Sequence, residues 1–305
     1  MQESTVAKFR LTKPIDRDSL DIRLLVLDID GTICGASNQV NETVKQAIRQ
    51  AQAKGIQVAI ATGRMYRSAK RFHAEIGSTL PILAYQGAWI QDPITQVIHR
   101  HLPVPAPVAK ELVDYFTQPH LQPLVSVHLY ISDRLYIQEV RSDTLAYQVR
   151  SNIKPILVPD LRQVLQTDPK EDVQPTKVLA IAQDPQLINQ LLQEIPLHRD
   201  DSGVLRFPPS KVHLTRSIPT YLEATHPLSH KGNAVLFLAE ELLGLQPHNV
   251  MAVGDNFNDW EMIEYAGLGV AMGNAPDEVQ AIAQWVAPRI EADGVAVAIE
   301  NFLLC

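Results

Sequence analysis

At 305 residues, with 46% apolar and 20% charged side chains, the chain has material for more than one hydrophobic core and the balance of an ordinary globular protein. Its 27 basic and 34 acidic residues leave a net charge of −7, which argues against a nucleic-acid-binding surface yet allows a local basic pocket for a small anion. Cys34 and Cys305 read as reduced thiols, no signal-peptide stretch occupies residues 1–21, and no run of about 18 apolar residues marks a membrane span, so a cytoplasmic location is expected.

Residues 1–20 are polar and read as an N-terminal extension, a flexible arm or an irregular strand. "IRLLVLD" at 22–28 predicts a buried strand. A helix follows in "NETVKQAIRQAQAKG" at 41–55, where Val44, Ala47, Ile48 and Ala51 recur at helical spacing. "IQVAIA" at 56–61 is a second strand, "MYRSAKRFHAEIG" at 65–77 a helix and "LPILAY" at 80–85 a third strand, completing a βαβαβ arrangement. Apolar strands separated by helices predict a parallel sheet covered on both faces.

From about 90 to 212 the texture changes. "VSVHLYIS" and "RLYIQEV" read as adjacent strands turning at Asp133, "TKVLAIAQ" and "KVHLT" add later ones, and prolines interrupt the helices among them. The α/β alternation then returns. "NAVLFLAEELLG" is a helix ending at Gly244, "NVMAVG" a strand, "FNDWEMIEYAG" a helix and "LGVAMG" a strand, followed by a helix at 276–283, a short strand at 285–286 and a helix at 293–303. The expectation is a doubly wound, mostly parallel, Rossmann-like α/β core from 21–89 and 213–305, with an α+β domain at 90–212 inserted as a cap.

The chemistry gathers where strands end. Asp28 closes "LLVLD" and Asp30 follows two residues on, at the turn opened by Gly31. Two such close carboxylates repel unless a cation or proton separates them, which points to a metal or a proton-transfer role rather than solubility. Late in the chain, "VMAVGDNFNDW" ends another strand in Asp255, with Asp259 four residues on. Oxygen ligands of this type suit a hard cation such as Mg²⁺. "AIATGR" offers the Thr62 hydroxyl and the backbone N–H at Gly63 to a phosphoryl oxygen, and "SHKGNA" places Lys231 directly before a helix.

These parts suffice for phosphoryl transfer through an aspartyl-phosphate. Asp28 is the expected nucleophile and Asp30 the acid that protonates the leaving alkoxide, then the base that activates water. Thr62 and Lys231 bind phosphoryl oxygens, Asp255 ligates the metal, and Asp259 ligates it or orients bound water. Plainer readings are a capped turn for Asp28 and Asp30, a helix N-cap for Thr62, a surface role for Lys231, and capping by Asn258 of the helix opened at Asp259.

The ordered segments "DIDGT" at 28–32, "ATGR" at 61–64, Lys231 in "SHKGNA" and "GDNFND" at 254–259 resemble the four motifs of the haloacid dehalogenase-like phosphohydrolases, Cof-type branch with an α/β cap. The resemblance covers about residues 22–304. It implies Asp28 as nucleophile, Asp30 as general acid and base, and Mg²⁺ held by the carboxylates of Asp28 and Asp255 and by the backbone carbonyl of Asp30. It also implies that Asn274 of "MGNAPDE" lies near the active site. Two departures stand out: the family often has Asn-Gly where "YQGAW" has Gln86 before Gly87, and more usually Ser where His230 precedes the lysine. Gln86 can still offer its amide to phosphate, from a longer arm. Arg64 and Asn258 are further candidates for substrate contact, as are His128, Tyr130, Arg134, Arg141 and Lys177 of the cap.

The expected function is Mg²⁺-dependent hydrolysis of a small phosphate monoester, such as a sugar phosphate or phosphorylated cofactor. A phosphomutase using the same covalent intermediate, or a phospho-ligand sensor with little turnover, are the alternatives. The partner expected is a small phosphorylated metabolite, with no nucleic acid or membrane, and the chain is expected as a monomer or small homo-oligomer.

Overall fold

The computed structural model describes residues 20–165, 174–216 and 218–304; residues 1–19 of the expected extension, and Cys305, lie outside them. The described chain divides into two compact units. The first holds the residues up to Gly63, Ala69–Val97 and those from His230 onward; the second holds Arg64–Ser68 and Ile98–Ser229.

In chain order the elements begin with β1 (Leu24–Leu27), α1 (Glu42–Ala53), β2 (Gln57–Ile60), α2 (Tyr66–Glu75), β3 (Ile82–Ala84) and β4 (Trp89–Gln91). The second unit contributes β5 (Ile98–His101), α3 (Ala106–Phe116), β6 (Val125–Ile131), β7 (Arg134–Ile137), α4 (Ser142–Ser151), β8 (Ile156–Leu157), α5 (Leu161–Val164), β9 (Lys177–Ala182), α6 (Pro185–Glu194), β10 (His213–Thr215) and β11 (Tyr221–Thr225). The first unit resumes with α7 (Lys231–Leu236), β12 (Val250–Gly254), α8 (Trp260–Tyr265), β13 (Leu268–Ala271), α9 (Asp277–Ile282), β14 (Trp285–Val286) and α10 (Gly294–Phe302).

The first unit is built on a parallel sheet in the order β14-β13-β12-β1-β2. Its central strands are buried end to end, as four-residue apolar runs such as Leu24–Leu27 require when both faces are covered. The register sets Leu27 beside Ile60 on one side and Val253 on the other, so Asp28, Ala61 and Gly254 leave three neighbouring strands at one level. β3 is bridged by Leu83 to Ala61, just past the end of β2, and pairs antiparallel with β4. On α1 the spacing read from the sequence holds, with Val44, Ala47, Ile48 and Ala51 buried.

The second unit carries a mixed sheet in the order β10-β11-β9-β6-β7-β8, antiparallel except for the β7–β8 pair. Its core packs Val125, Val127, Leu129 and Ile131 of β6 against Val108, Leu112 and Phe116 of α3 and Ile188 and Leu191 of α6.

Two boundaries differ from the expected 90–212 insertion. Residues 90–97 stay with the first unit, where β4 leads into a turn in which Asp92 Oδ1 accepts the N–H groups of Ile94 and Thr95. Residues 213–229 belong to the second unit, because β10 and β11 extend its sheet and Leu222 and Ala224 join its core. The helix expected at 233–244 begins earlier, at Lys231, and passes into a π-helical stretch from Phe237 to Leu242. Lys231 is thus the first residue of α7 rather than the residue before it. His230 caps it, its Nδ1 accepting the Asn233 N–H at 3.2 Å.

Candidate active site

The carboxyl ends of β1 and β12 bring together residues more than two hundred positions apart. Asp28 follows β1, its N–H donating to the Val253 carbonyl at 3.1 Å, and Asp255 follows β12. Asp28, Asp255 and Asp259 each present a carboxylate oxygen within 4.8 Å of the others. Lys231 is fully buried, and its Nζ donates to Asp28 Oδ1 at 2.6 Å and to Asp259 Oδ1 at 2.5 Å. The second oxygen of Asp259 accepts the backbone N–H groups of Asp255 at 2.9 Å and Asn256 at 3.0 Å. Both oxygens of Asp259 therefore already hold protein groups in place, and direct metal ligation by it competes with those bonds.

Asp255 is held from two sides. Thr32 Oγ1 donates to its Oδ1 at 3.1 Å, and Asn274 Nδ2 to its Oδ2 at 3.3 Å and to the Gly31 carbonyl at 2.9 Å. Gly31 adopts φ +85°, and a Cβ there would fall 2.1 Å from Asp255 Oδ2, so the turn needs glycine for both its conformation and its approach to the carboxylate. Asn274, placed near the site by resemblance, is in it. Thr32 was not singled out from the sequence, although it stands inside "DIDGT" and its hydroxyl was the available signal.

Three carboxylates crowd one ammonium in a largely buried space, and the proton affinities of Asp28 and Asp255 register the shortage of positive charge. Burial raises Asp28 well above the ordinary carboxylate range, with Lys231 opposing and Asp259 and Asp255 reinforcing the shift. Burial, then repulsion from Asp259, moves Asp255 up to about 6. Lys231, which burial alone would push down, is instead held firmly protonated by Asp259 and Asp28. An all-oxygen cluster that retains net negative charge beside one lysine fits a hard divalent cation.

The neighbouring strand end supplies Thr62, which is buried, donates its N–H to the Leu83 carbonyl at 2.8 Å and accepts the Gln86 N–H at 2.9 Å. Gly63 lies against the Gln86 amide, whose Oε1 accepts from Asn258 Nδ2 at 3.2 Å. Asn258 does not cap α8, which has no side-chain cap; Asn256 caps the short Phe257–Asp259 turn before it, its Oδ1 accepting the Phe257 N–H at 2.8 Å. Asp30 is partly buried and its backbone bridges to that of Cys34, itself buried.

Arg64 opens the segment grouped with the second unit, in which Arg67 donates its backbone N–H and Nε to Asp133 Oδ2 at 2.9 and 3.1 Å. Within that unit His128 and Tyr130 are buried, and Lys177 pairs with Glu223 at 3.3 Å and lies 5.0 Å from the Tyr130 ring centroid. Arg141 is committed to Glu139 and the Gln122 carbonyl, while Arg134 is exposed. Among the described residues no helix is long and apolar enough to cross a membrane.

A model of the haloacid dehalogenase-like hydrolase family matches residues 25–299. The chain belongs to that family. The Cof-type resemblance and the α/β fold expected from the sequence both hold. It is similar to the 5-amino-6-(5-phospho-D-ribitylamino)uracil phosphatase YitU of Bacillus subtilis, at 28% identity over 280 residues, 92% of this chain and 97% of that protein. It is similar to the pyridoxal phosphate phosphatase YbhA of Escherichia coli, at 26% identity over 289 residues, 92% of this chain and 99% of the relative. The crystal structure of TM0651 from Thermotoga maritima matches with a TM-score of 0.76 at 27% identity, covering 92% of this chain and 97% of that one.

Proposed function

We propose that this hydrolase is a Mg²⁺-dependent phosphatase that cleaves small organic phosphate monoesters through a phosphoryl group carried on Asp28. The observation that carries the reading is Lys231 Nζ shared between Asp28 and Asp259, beside an Asp255 carboxylate fixed by Thr32 and Asn274. A carboxylate whose Oδ1 is anchored by a buried lysine has a fixed direction of attack, which removes part of the orientational cost of reaching phosphorus.

The Asp28 oxygen forms the new bond to phosphorus while the bond to the leaving oxygen breaks. Asp30 gives its proton to that oxygen and then takes one from the water that releases phosphate, regenerating the free carboxylate of Asp28. The Thr62 hydroxyl, the Gly63 N–H and the Lys231 ammonium donate to the phosphoryl oxygens. Asp28, Asp255 and the Asp30 carbonyl would hold the cation, and Asp259 would serve it through water while keeping Lys231 and the turn after Asp255 in register. Bound there, Mg²⁺ supplies charge neutralisation between the phosphoryl oxygens and the carboxylates.

Relatives named for a ribitylaminouracil phosphate and for pyridoxal phosphate make a phosphorylated cofactor or its precursor the first substrate class to try, with sugar phosphates next. The second unit is proposed to select the organic part of the substrate. The test is phosphate release from a panel of such monoesters with Mg²⁺, with chelator, and with Asp28→Asn shown to be folded. Cation-dependent release that disappears in Asp28→Asn is expected; absence of release from every monoester by the folded, cation-loaded protein would sink the reading.

A further inference from the structure

The turn at Tyr85–Gly87 has a conformation that its sequence does not favour. Tyr85, Gln86 and Gly87 have φ of 52°, 58° and 89°, so two side-chain-bearing residues stand in the left-handed region in succession. Such a conformation is unfavourable for a residue with a side chain and persists only where its surroundings fix it. Here the Gln86 N–H donates to the Thr62 carbonyl at 2.9 Å, the Ala88 N–H to the Tyr85 carbonyl at 3.1 Å, and Gly87 lies so close to Ala234 of α7 that a Cβ would approach it to 2.4 Å. The strained turn is thus clamped between Thr62 and the helix that begins with Lys231.

What the clamp delivers is the Gln86 amide. A Cβ on Gly63 would meet Gln86 Nε2 at 2.7 Å but Oε1 only at 3.6 Å, so the NH₂ end faces the Gly63 backbone. The Oε1 end is occupied, accepting from Asn258 Nδ2 at 3.2 Å. Asn258 in turn lies in the Phe257–Asp259 turn, whose last residue is bonded to Lys231. A phosphoryl group offers only acceptor oxygens, so an amide presenting NH₂ attracts it and one presenting its carbonyl repels it.

We propose that Asn258 is a positioning residue acting through Gln86: it occupies the amide carbonyl and so leaves Gln86 as a hydrogen-bond donor to the phosphoryl group held at Thr62–Gly63. This rests on the phosphatase reading and goes beyond it in dividing the roles, with Gln86 touching substrate and Asn258 setting its polarity. The Gln86 side chain reaches both Asn258 and the Thr62–Gly63 loop.

The test is a double-mutant cycle of Gln86→Ala and Asn258→Ala, read by calorimetric binding of inorganic phosphate to the Mg²⁺-loaded protein, with unfolding midpoints as a folding control. Each single variant is expected to weaken phosphate binding by about tenfold or more, the scale of one lost hydrogen bond to a charged group. In the Gln86→Ala background, Asn258→Ala should cost nothing further. Asn258→Asp should be worse than Asn258→Ala, because an acceptor at 258 captures the Gln86 NH₂ and turns its carbonyl toward the phosphate. Losses that add in the double variant would show Asn258 contacting phosphate itself and overturn the proposal. Lowered midpoints with unchanged phosphate affinity would reduce the pair to packing and overturn it as well. If the native protein takes up phosphate and hydrolyses monoesters in either case, the parent reading stands; native protein that does neither removes both.

Discussion

Lys231→Met keeps most of the side-chain volume and removes the charge between Asp28 and Asp259. Nζ donates to those carboxylates at 2.6 and 2.5 Å from a fully buried position, so the variant leaves two buried anions without their counter-ion. Breaking a buried pair from one side typically costs about 3–5 kcal/mol. Part of that cost is relieved by protonation, since burial already raises the Asp28 carboxyl and Lys231 is what opposes the rise. A carboxylate whose folded pKa lies above its unfolded value contributes stability below the unfolded value and loses it as pH rises. The expected deficit relative to the native chain is therefore about 3 kcal/mol at pH 8 and smaller at pH 5.5. Because the cluster is then more negative, Mg²⁺ should restore more stability to the variant than it adds to the native protein. Urea unfolding at both pH values, with and without Mg²⁺, measures all three quantities. A deficit below about 1 kcal/mol at pH 8, or one independent of pH and cation, would refute the buried-pair reasoning.

Gly31→Ala is expected to cost at least about 1–3 kcal/mol from the positive φ alone and to abolish the cation response by displacing Asp255; native stability with an intact response would contradict this. With Asp255 raised to about 6, its stabilising contribution in cation-free protein is complete below the unfolded value of 3.8 and lost as pH rises through 6. Cation binding needs the ionised form, so the shift of the unfolding midpoint by Mg²⁺ should be larger at pH 7.5 than at pH 5, and equal shifts would count against the carboxylate cage. His128, kept neutral by burial with its pKa lowered to about 4, should show an imidazole NMR titration near that value; titration near 6.5 would contradict its enclosed position.

Strand identity in the first unit was legible because parallel strands buried on both faces must be continuous apolar runs, as in "LLVL" and "VMAV". β11 was not. Its Glu223 reads as a polar interruption until Lys177, far away in sequence, is seen beside it in the same sheet. For the same reason the second unit extends past residue 212. Within the site, the sequence carried the residue types at strand ends but not their division of labour. Asn256 and Asn258 are equivalent on paper, and only the turn geometry makes one a cap and the other the partner of Gln86. The Thr32 and Asn274 bonds to Asp255 likewise depend on β1, β12 and β13 lying side by side.

The proposed mechanism depends on Asp28 carrying the phosphoryl group, and trapping that group is the most direct measurement. Acid-quenched single turnover of an accepted monoester with Mg²⁺, followed by borohydride reduction and peptide mass spectrometry, should convert residue 28 alone into homoserine. Reduction at a different residue, or undiminished phosphate release by folded Asp28→Asn protein, would contradict the account.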